Sequence, residues 1–378
     1  MWRAVWALIG ASIAAFALAG CGVGAPLPPA PADTSARERE QQAFVEALKP
    51  RRAGRPVIAV LALNEGTETT DLLLPHAVLK RADVADVRIV APKSGRVTLY
   101  PALQVDAAQD FASFDRAHPS GPDYVIVPAM IVEDDPAVTA WLKQQAARGA
   151  RVIGVCSGAL VVGHAGLLDG RRFTGHWYDR KTLLKRHPGA THVPHQRYVI
   201  DRDVATTTGI TASVPTMLAL VEAIGGPENA KSIANELGVA SWSPEHDSAP
   251  FGLNMKRGSS YLLNRAAFWR GEQGQIDVQS GTDDIALALA ADAWTRTGHL
   301  KVDAASVSGS VTLRSGLVLV TQSAREKSTR LLLTSSLKPV QQLDRTLCEI
   351  AARHGEARRD WVMQEMEYPG PVVDACAS

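Results

Sequence analysis

The chain has few cysteines, no excess charge of either sign and, in its last third, no recognisable motif. Four cysteines in 378 residues (Cys21, Cys156, Cys348 and Cys376) are too few for a disulfide framework, so each needs its own account. Lys and Arg number 40 against 39 Asp and Glu. That balance argues against nucleic acid as a partner, since such proteins show a basic excess or a basic face. What is present is ordinary for a soluble globular protein: 46% hydrophobic and 21% charged residues, in a chain long enough for two domains whose cores need no staples.

Residues 1–20 carry one positive charge, Arg3, and then an apolar run from Ala4 to Gly20 that ends in small residues, a secretory signal pattern. Leu18-Ala19-Gly20-Cys21 resembles a bacterial lipobox, which implies that Cys21 is acylated and becomes the new N-terminus. A second reading is an uncleaved anchor, since about 17–25 apolar residues span a bilayer. Either reading exports the body of the protein. Gly22, by analogy with such lipoproteins, points to the outer membrane. The expected location is therefore the periplasmic face of the cell envelope, with the membrane as a partner through the lipid. Residues 21–54 read as a tether, Pro- and Ala-rich over 23–35 and semi-rigid for that reason. Over 36–49 they are charged, with a helical stripe.

From 55 to about 255, strands and helices alternate. Val57–Leu63, Asp86–Pro92, Asp123–Pro128 and Arg151–Val155 are short apolar runs suited to strands buried on both faces. Helices are expected near 70–82 and 135–148, and a hairpin around Tyr100-Pro101. The pattern predicts an α/β fold, flavodoxin-like, with a mostly parallel sheet covered by helices on both faces. Sites in such sheets lie beyond the carboxyl ends of the strands.

One strand end carries chemistry. Gly154-Val155-Cys156-Ser157-Gly158 leaves a strand and enters a helix expected over Ala159–Leu167, with two glycines at the spacing of a nucleophile elbow. The unpaired N–H groups of a helix start favour a thiolate there. The competing reading is a small, inert core cysteine. The flanking glycines favour the reactive one.

The stretch Val155-Cys156-Ser157-Gly158-Ala159, with Ala165 to Arg172 and Thr174-Gly175-His176-Trp177, resembles the ThiJ/PfpI superfamily. The likeness is to the branch of isonitrile hydratases and the amidotransferase-like domains of AraC-type regulators. Thr206 to Ala212 and the helix up to Gly225-Gly226 match that branch's closing segment, so the resemblance covers about residues 55–255. It implies that Cys156 is the nucleophile and that Asp71, after the first strand, is the acid contacting it. It also implies that His176 lies near the thiol, as acid/base or as a structural residue. The backbone N–H groups of Ser157 and of Ala129 (or Met130) would form the oxyanion hole. Two departures weaken parts of this: Ser157 stands where protease-like members have histidine, and Ala129-Met130 stands where many relatives have paired glycines. If that turn requires positive φ, both residues are costly there.

His187, His192 and His195 lack an accompanying cysteine or obvious carboxylate, so a polar surface loop is expected there and no metal or other cofactor. Residues 256–378 should form a smaller α+β region. It would hold a helix from Thr282 to about Thr295, a strand pair within Val311–Val320, a strand near Arg330–Thr334 and a striped helix after Pro339. No paired helix-turn-helix units are found there. Cys348 and Cys376 are a possible disulfide in an oxidising compartment. A small-molecule substrate or ligand is expected, and a homodimer is among the assemblies allowed. Three functions compete: covalent catalysis by Cys156 on an amide, isonitrile or reactive carbonyl; a thiol redox sensor; and a binding module with an inert thiol.

Overall fold

A computed structural model describes residues 34–252 and 272–370. The signal region, Cys21, Trp269 and Cys376 lie outside the described residues. The longer strands of the first part are β1 (Val57–Leu61), β2 (Asp86–Ala91), β3 (Gly95–Tyr100), β4 (Gln104–Asp110), β5 (Tyr124–Val127), β6 (Arg151–Gly154), β7 (Tyr198–Asp201) and β8 (Val204–Thr207), beside the two-residue strands Thr67–Glu68, Arg172–Phe173 and Thr191–His192. The main helices are α1 (Thr34–Leu48), α2 (Thr69–Ala82), α3 (Pro136–Ala147), α4 (Gly158–His164), α5 (Ser213–Gly225) and α6 (Pro227–Leu237).

The apolar runs form the centre of an eleven-stranded sheet whose main path adds two later strands, β11 (Ser310–Thr312) and β12 (Val318–Val320). Its order is β7-β8-β6-β5-β1-β2-β4-β12-β11. From β8 to β4 every neighbouring pair is parallel. The fold is therefore α/β with a mostly parallel, helix-covered sheet, as its alternating elements require. β3 and β4 form the expected hairpin, turning at a cis Tyr100–Pro101 bond.

The later residues add β9 (Glu272–Asp277), α7 (Asp284–Arg296), β10 (Leu300–Ala305), β13 (Thr329–Leu331), α8 (Gln341–His354) and α9 (Glu356–Glu365). β9 pairs in parallel with β10 and β13 as a separate small sheet. The β11–β12 hairpin joins the main sheet, with Leu319 opposite Val105 of β4. Asp283 caps α7 by accepting from the N–H groups of Ile285 and Ala286. On α8 the striped residues Leu343, Leu347 and Ile350 are buried. One apolar cluster runs from Phe44 of α1 through Leu72 and Leu73 of α2 to Trp294, Leu347 and Met366. The C-terminal region thus packs on the same core as the sheet.

Three expectations need correcting. The helix after the elbow ends at His164 rather than Leu167, because the chain reverses at Gly166 with φ of 73°. His195 is buried rather than in an exposed loop: its Nδ1 accepts from the Ser248 N–H at 3.2 Å. Ala129 and Met130 do not have positive φ, so this turn needs no glycine and carries no strain for lacking one. Among the described residues no helix is long and apolar enough to cross a membrane.

Candidate active site

Cys156 sits where β6 ends, with a φ of 55°, in the left-handed region that L-residues avoid. The neighbouring geometry holds it there. Its N–H donates to Thr207 Oγ1 at 3.1 Å, tying the elbow to the end of β8. Gly158 is required two residues on, because a Cβ at that position would lie 1.9 Å from the Val127 carbonyl oxygen. The small residue lets α4 start directly against β5.

The carboxyl groups come from the start of α2. Glu68 is the N-cap of this helix, and its Oε2 accepts from the Asp71 N–H at 2.6 Å and from Thr70 Oγ1 at 2.8 Å. The helix start favours an anion at this point. Asp71 lies one turn inside and is fully buried. Its Oδ2 accepts from the Ala129 N–H at 3.1 Å, and its Oδ1 is buried without a partner. Burial first, and then the Glu68 charge, hold the Asp71 carboxyl well above the usual carboxylate range. Asp71 therefore holds its proton more tightly than an ordinary carboxyl does.

Burial, and then the charges of Asp71, Glu68 and Asp179, push the Cys156 thiol well above its ordinary value, while the Ser157 N–H works in the opposite direction. The side chain is only 5% exposed. These surroundings therefore oppose the expected resting thiolate. The helix that should favour it is a short one of seven residues, and three carboxyl groups outweigh its N-terminal dipole. Ser157 Oγ, 4.0 Å from the sulfur, donates to Asp179, whose own carboxyl is pushed up by burial. The Tyr100 hydroxyl, largely buried beside Glu68, Asp71 and Cys156, is pushed above its ordinary range as well.

Of the expected oxyanion donors, two can be placed. The Ser157 N–H faces the sulfur, but the Ala129 N–H is committed to Asp71. His176 bonds through Nε2 to the Glu365 carbonyl at 3.0 Å, and Trp177 Nε1 donates to the Gln364 carbonyl at 2.8 Å. Both residues therefore anchor the end of α9 over the site. Glu367, with φ of 53°, completes this strap: its Oε2 accepts from the Gly209 N–H at 2.7 Å and its Oε1 meets His246 Nε2 at 3.0 Å.

Sequence reasoning missed Glu68, Asp179, Arg296 and the strap. For Glu68 a signal existed, an acid three residues before Asp71 at a helix start. For the others it did not, because their proximity depends on how the last third docks. His187 pairs with Asp169 at 2.8 Å, and His192 lies edge-on to Phe173, so neither belongs to the thiol site. Cys348 is disulfide-bonded, and Cys156 is free.

A strand-to-helix elbow bearing a cysteine, beside a buried carboxyl at the head of α2, defines a nucleophile-elbow thiol domain. The chain belongs to the DJ-1/PfpI family, whose profile matches residues 57–223. It is 30% identical over 186 residues to an isonitrile hydratase of Pseudomonas putida, covering 48% of this chain and 77% of the hydratase. It is 32% identical over 112 residues to the HTH-type transcriptional regulator CdhR of Pseudomonas aeruginosa, covering 30% of this chain and only 33% of the regulator. A crystal structure of a ThiJ/PfpI family protein from Pseudomonas syringae is 27% identical, with a TM-score of 0.43, covering 50% of this chain and 76% of that one.

Proposed function

We propose that this protein is a cysteine-dependent enzyme of the hydrolase/lyase type that adds Cys156 to an electrophilic carbon, with an isonitrile as the favoured substrate class over amides and reactive carbonyls. The observation that carries the reading is the unpartnered, buried Asp71 Oδ1, on a carboxyl that burial and Glu68 push up, beside a thiol pushed up as well. An isonitrile carbon bears a lone pair and becomes electrophilic on protonation. In the proposed cycle the Asp71 O–H protonates that carbon, and the sulfur attacks it as the thiol proton passes to the Asp71 carboxylate. A thioimidate results. Water then adds to the carbon, the C–S bond breaks, and an N-substituted formamide leaves with the thiol restored. The sum is one isonitrile plus one water. A missing backbone donor at Ala129 matters little to this route, because no carbonyl oxyanion forms in its first step. The kinship with an isonitrile hydratase supports it.

The test is turnover of a small alkyl isonitrile by the full chain, followed by NMR of the formamide. Loss of product in Cys156→Ala and Asp71→Asn supports the reading, and no product from the parent protein discards it. In that case the sealed thiol favours the binding module, related to the sensing domains of AraC-type regulators. The redox-sensor reading is the weakest, because oxidation needs an accessible thiolate.

We infer further that the chain is exported and lipid-anchored through Cys21. The Leu18–Cys21 pattern and the disulfide at Cys348, a bond that persists in oxidising compartments, support this. Metabolic labelling with a fatty acid, lost in Cys21→Ala, is the check.

A further inference from the structure

Three buried acids, the part-exposed Glu365 and one arginine form a connected group behind the thiol, and the arginine comes from outside the family match. Arg296, the last residue of α7, donates through its Nη2 to Glu68 Oε1 at 2.9 Å. Its Nε donates to both oxygens of Asp292, at 2.9 and 3.0 Å, and its Nη1 lies 3.5 Å from Glu365 of α9. Asp292 is fully buried, one helical turn earlier on the same face. Glu68 then passes the contact on, since its other oxygen accepts the Asp71 N–H. We propose that Arg296 is a positioning residue of the thiol site, supplied by the C-terminal region, and that it holds Glu68 as an anion beside Asp71 and Cys156.

Glu68 and Asp292 converge where water is excluded, with the part-exposed Glu365 at the edge, and an unpaired carboxylate at either buried position would take up a proton instead. Arg296 is the cation in contact with all three. With it in place Glu68 can be an anion, directly bonded to the Asp71 backbone, and that anion opposes ionisation of Asp71. Arg296 reaches Asp71 more weakly than Glu68 does, so its influence by way of Glu68 outweighs its own direct field. The other groups facing Asp71 and Cys156 are Tyr100 from the end of β3 and Asp179 beside Ser157, and neither contributes a positive charge. The assignment of Asp71 as acid rests on the proposed function, but the coupling does not.

The test is the pH midpoint of Cys156 alkylation by iodoacetamide in the full chain, followed on the Cys156 peptide by mass spectrometry, with the thermal midpoint as a check of folding. In Arg296→Gln, Glu68 protonates, one negative neighbour of the thiol is lost, and the midpoint falls by about 1 pH unit. Glu68→Gln falls equally, the double variant falls no further, and Arg296→Lys stays closer to the parent. An unchanged or raised midpoint in Arg296→Gln overturns the proposal. If that variant does not fold, Glu68→Gln and Arg296→Lys decide it: an unshifted Glu68→Gln, or an Arg296→Lys displaced as far as Glu68→Gln, has the same consequence. A midpoint shift in a protein that turns over no isonitrile removes the proposed activity and leaves this inference standing.

Discussion

Arg296 and Glu68 meet at 2.9 Å across 228 residues of sequence, the one at the end of α7 and the other at the cap of α2. The contact joins the family domain to its C-terminal extension at the point where the domain's acid is held. It makes the thiol site a product of both parts.

The resting thiol is neutral, and its reactivity should show this. Alkylation of Cys156 should reach its midpoint above the ordinary thiol value of 9.0, because burial and three acids oppose the thiolate. Asp71→Asn, which keeps the Ala129 hydrogen bond but cannot ionise, should lower that midpoint. A parent midpoint at or below the ordinary value would show the sulfur to be in a different environment.

Glu68 gives stability a pH dependence of definite sign. Its carboxyl is pushed up from 4.5 to about 7, by burial first and the Asp292 charge second. The folded state therefore binds this proton more tightly than the unfolded chain does. Its contribution is fully present below pH 4.5 and is lost as pH rises through about 7. A shift of this size corresponds to roughly 3 kcal/mol. Denaturant midpoints measured from pH 4 to 8 should fall over that window, and the slope should be shallower in Glu68→Gln.

The elbow tolerates no side chain at Gly158. A methyl group there would run into the backbone at Val127, which cannot move without parting β5 from β6. Gly158→Ala should cost about 3 kcal/mol, at the upper end for overpacking. Gly170→Asn is the control: that glycine has φ of 66° and open space around it, and asparagine tolerates this region. Urea unfolding of the two variants should separate them clearly.

Reduction should weaken the C-terminal helices more than the sheet. Cys348 lies on α8, and the expected partner in its disulfide is Cys376. Cys348→Ser should lower stability by about 2–4 kcal/mol. Peptide mapping without reductant identifies the partner, and a Cys348–Cys21 peptide would contradict both this pairing and lipidation of Cys21.

The core strands were legible because a strand buried on both faces can hold almost nothing but apolar residues, as Val57–Leu61 and Tyr124–Val127 show. The elbow was legible because Gly158 is a local steric necessity and Gly154 sits in a tight fit, and α7 because Asp283 and Asp284 mark its start. The state of the thiol was not. Helix position is a local property, but the proton on Cys156 depends on Glu68, Asp179 and the depth of burial, which are set by contacts between distant segments. Ala129 illustrates the same limit: its place in the turn was foreseen, but the carboxyl that takes its N–H was not.

The pairing of Leu319 with Val105 has a consequence for where the protein can be cut. The family match stops at residue 223, but the folding unit does not. A fragment ending at 252 would uncover the edge of β4 that β12 covers and the apolar side of α2 that α7 covers. Unpaired strand edges recruit one another. Such a fragment should therefore self-associate during purification, and the oligomer it formed would be a result of the truncation rather than a property of the intact protein.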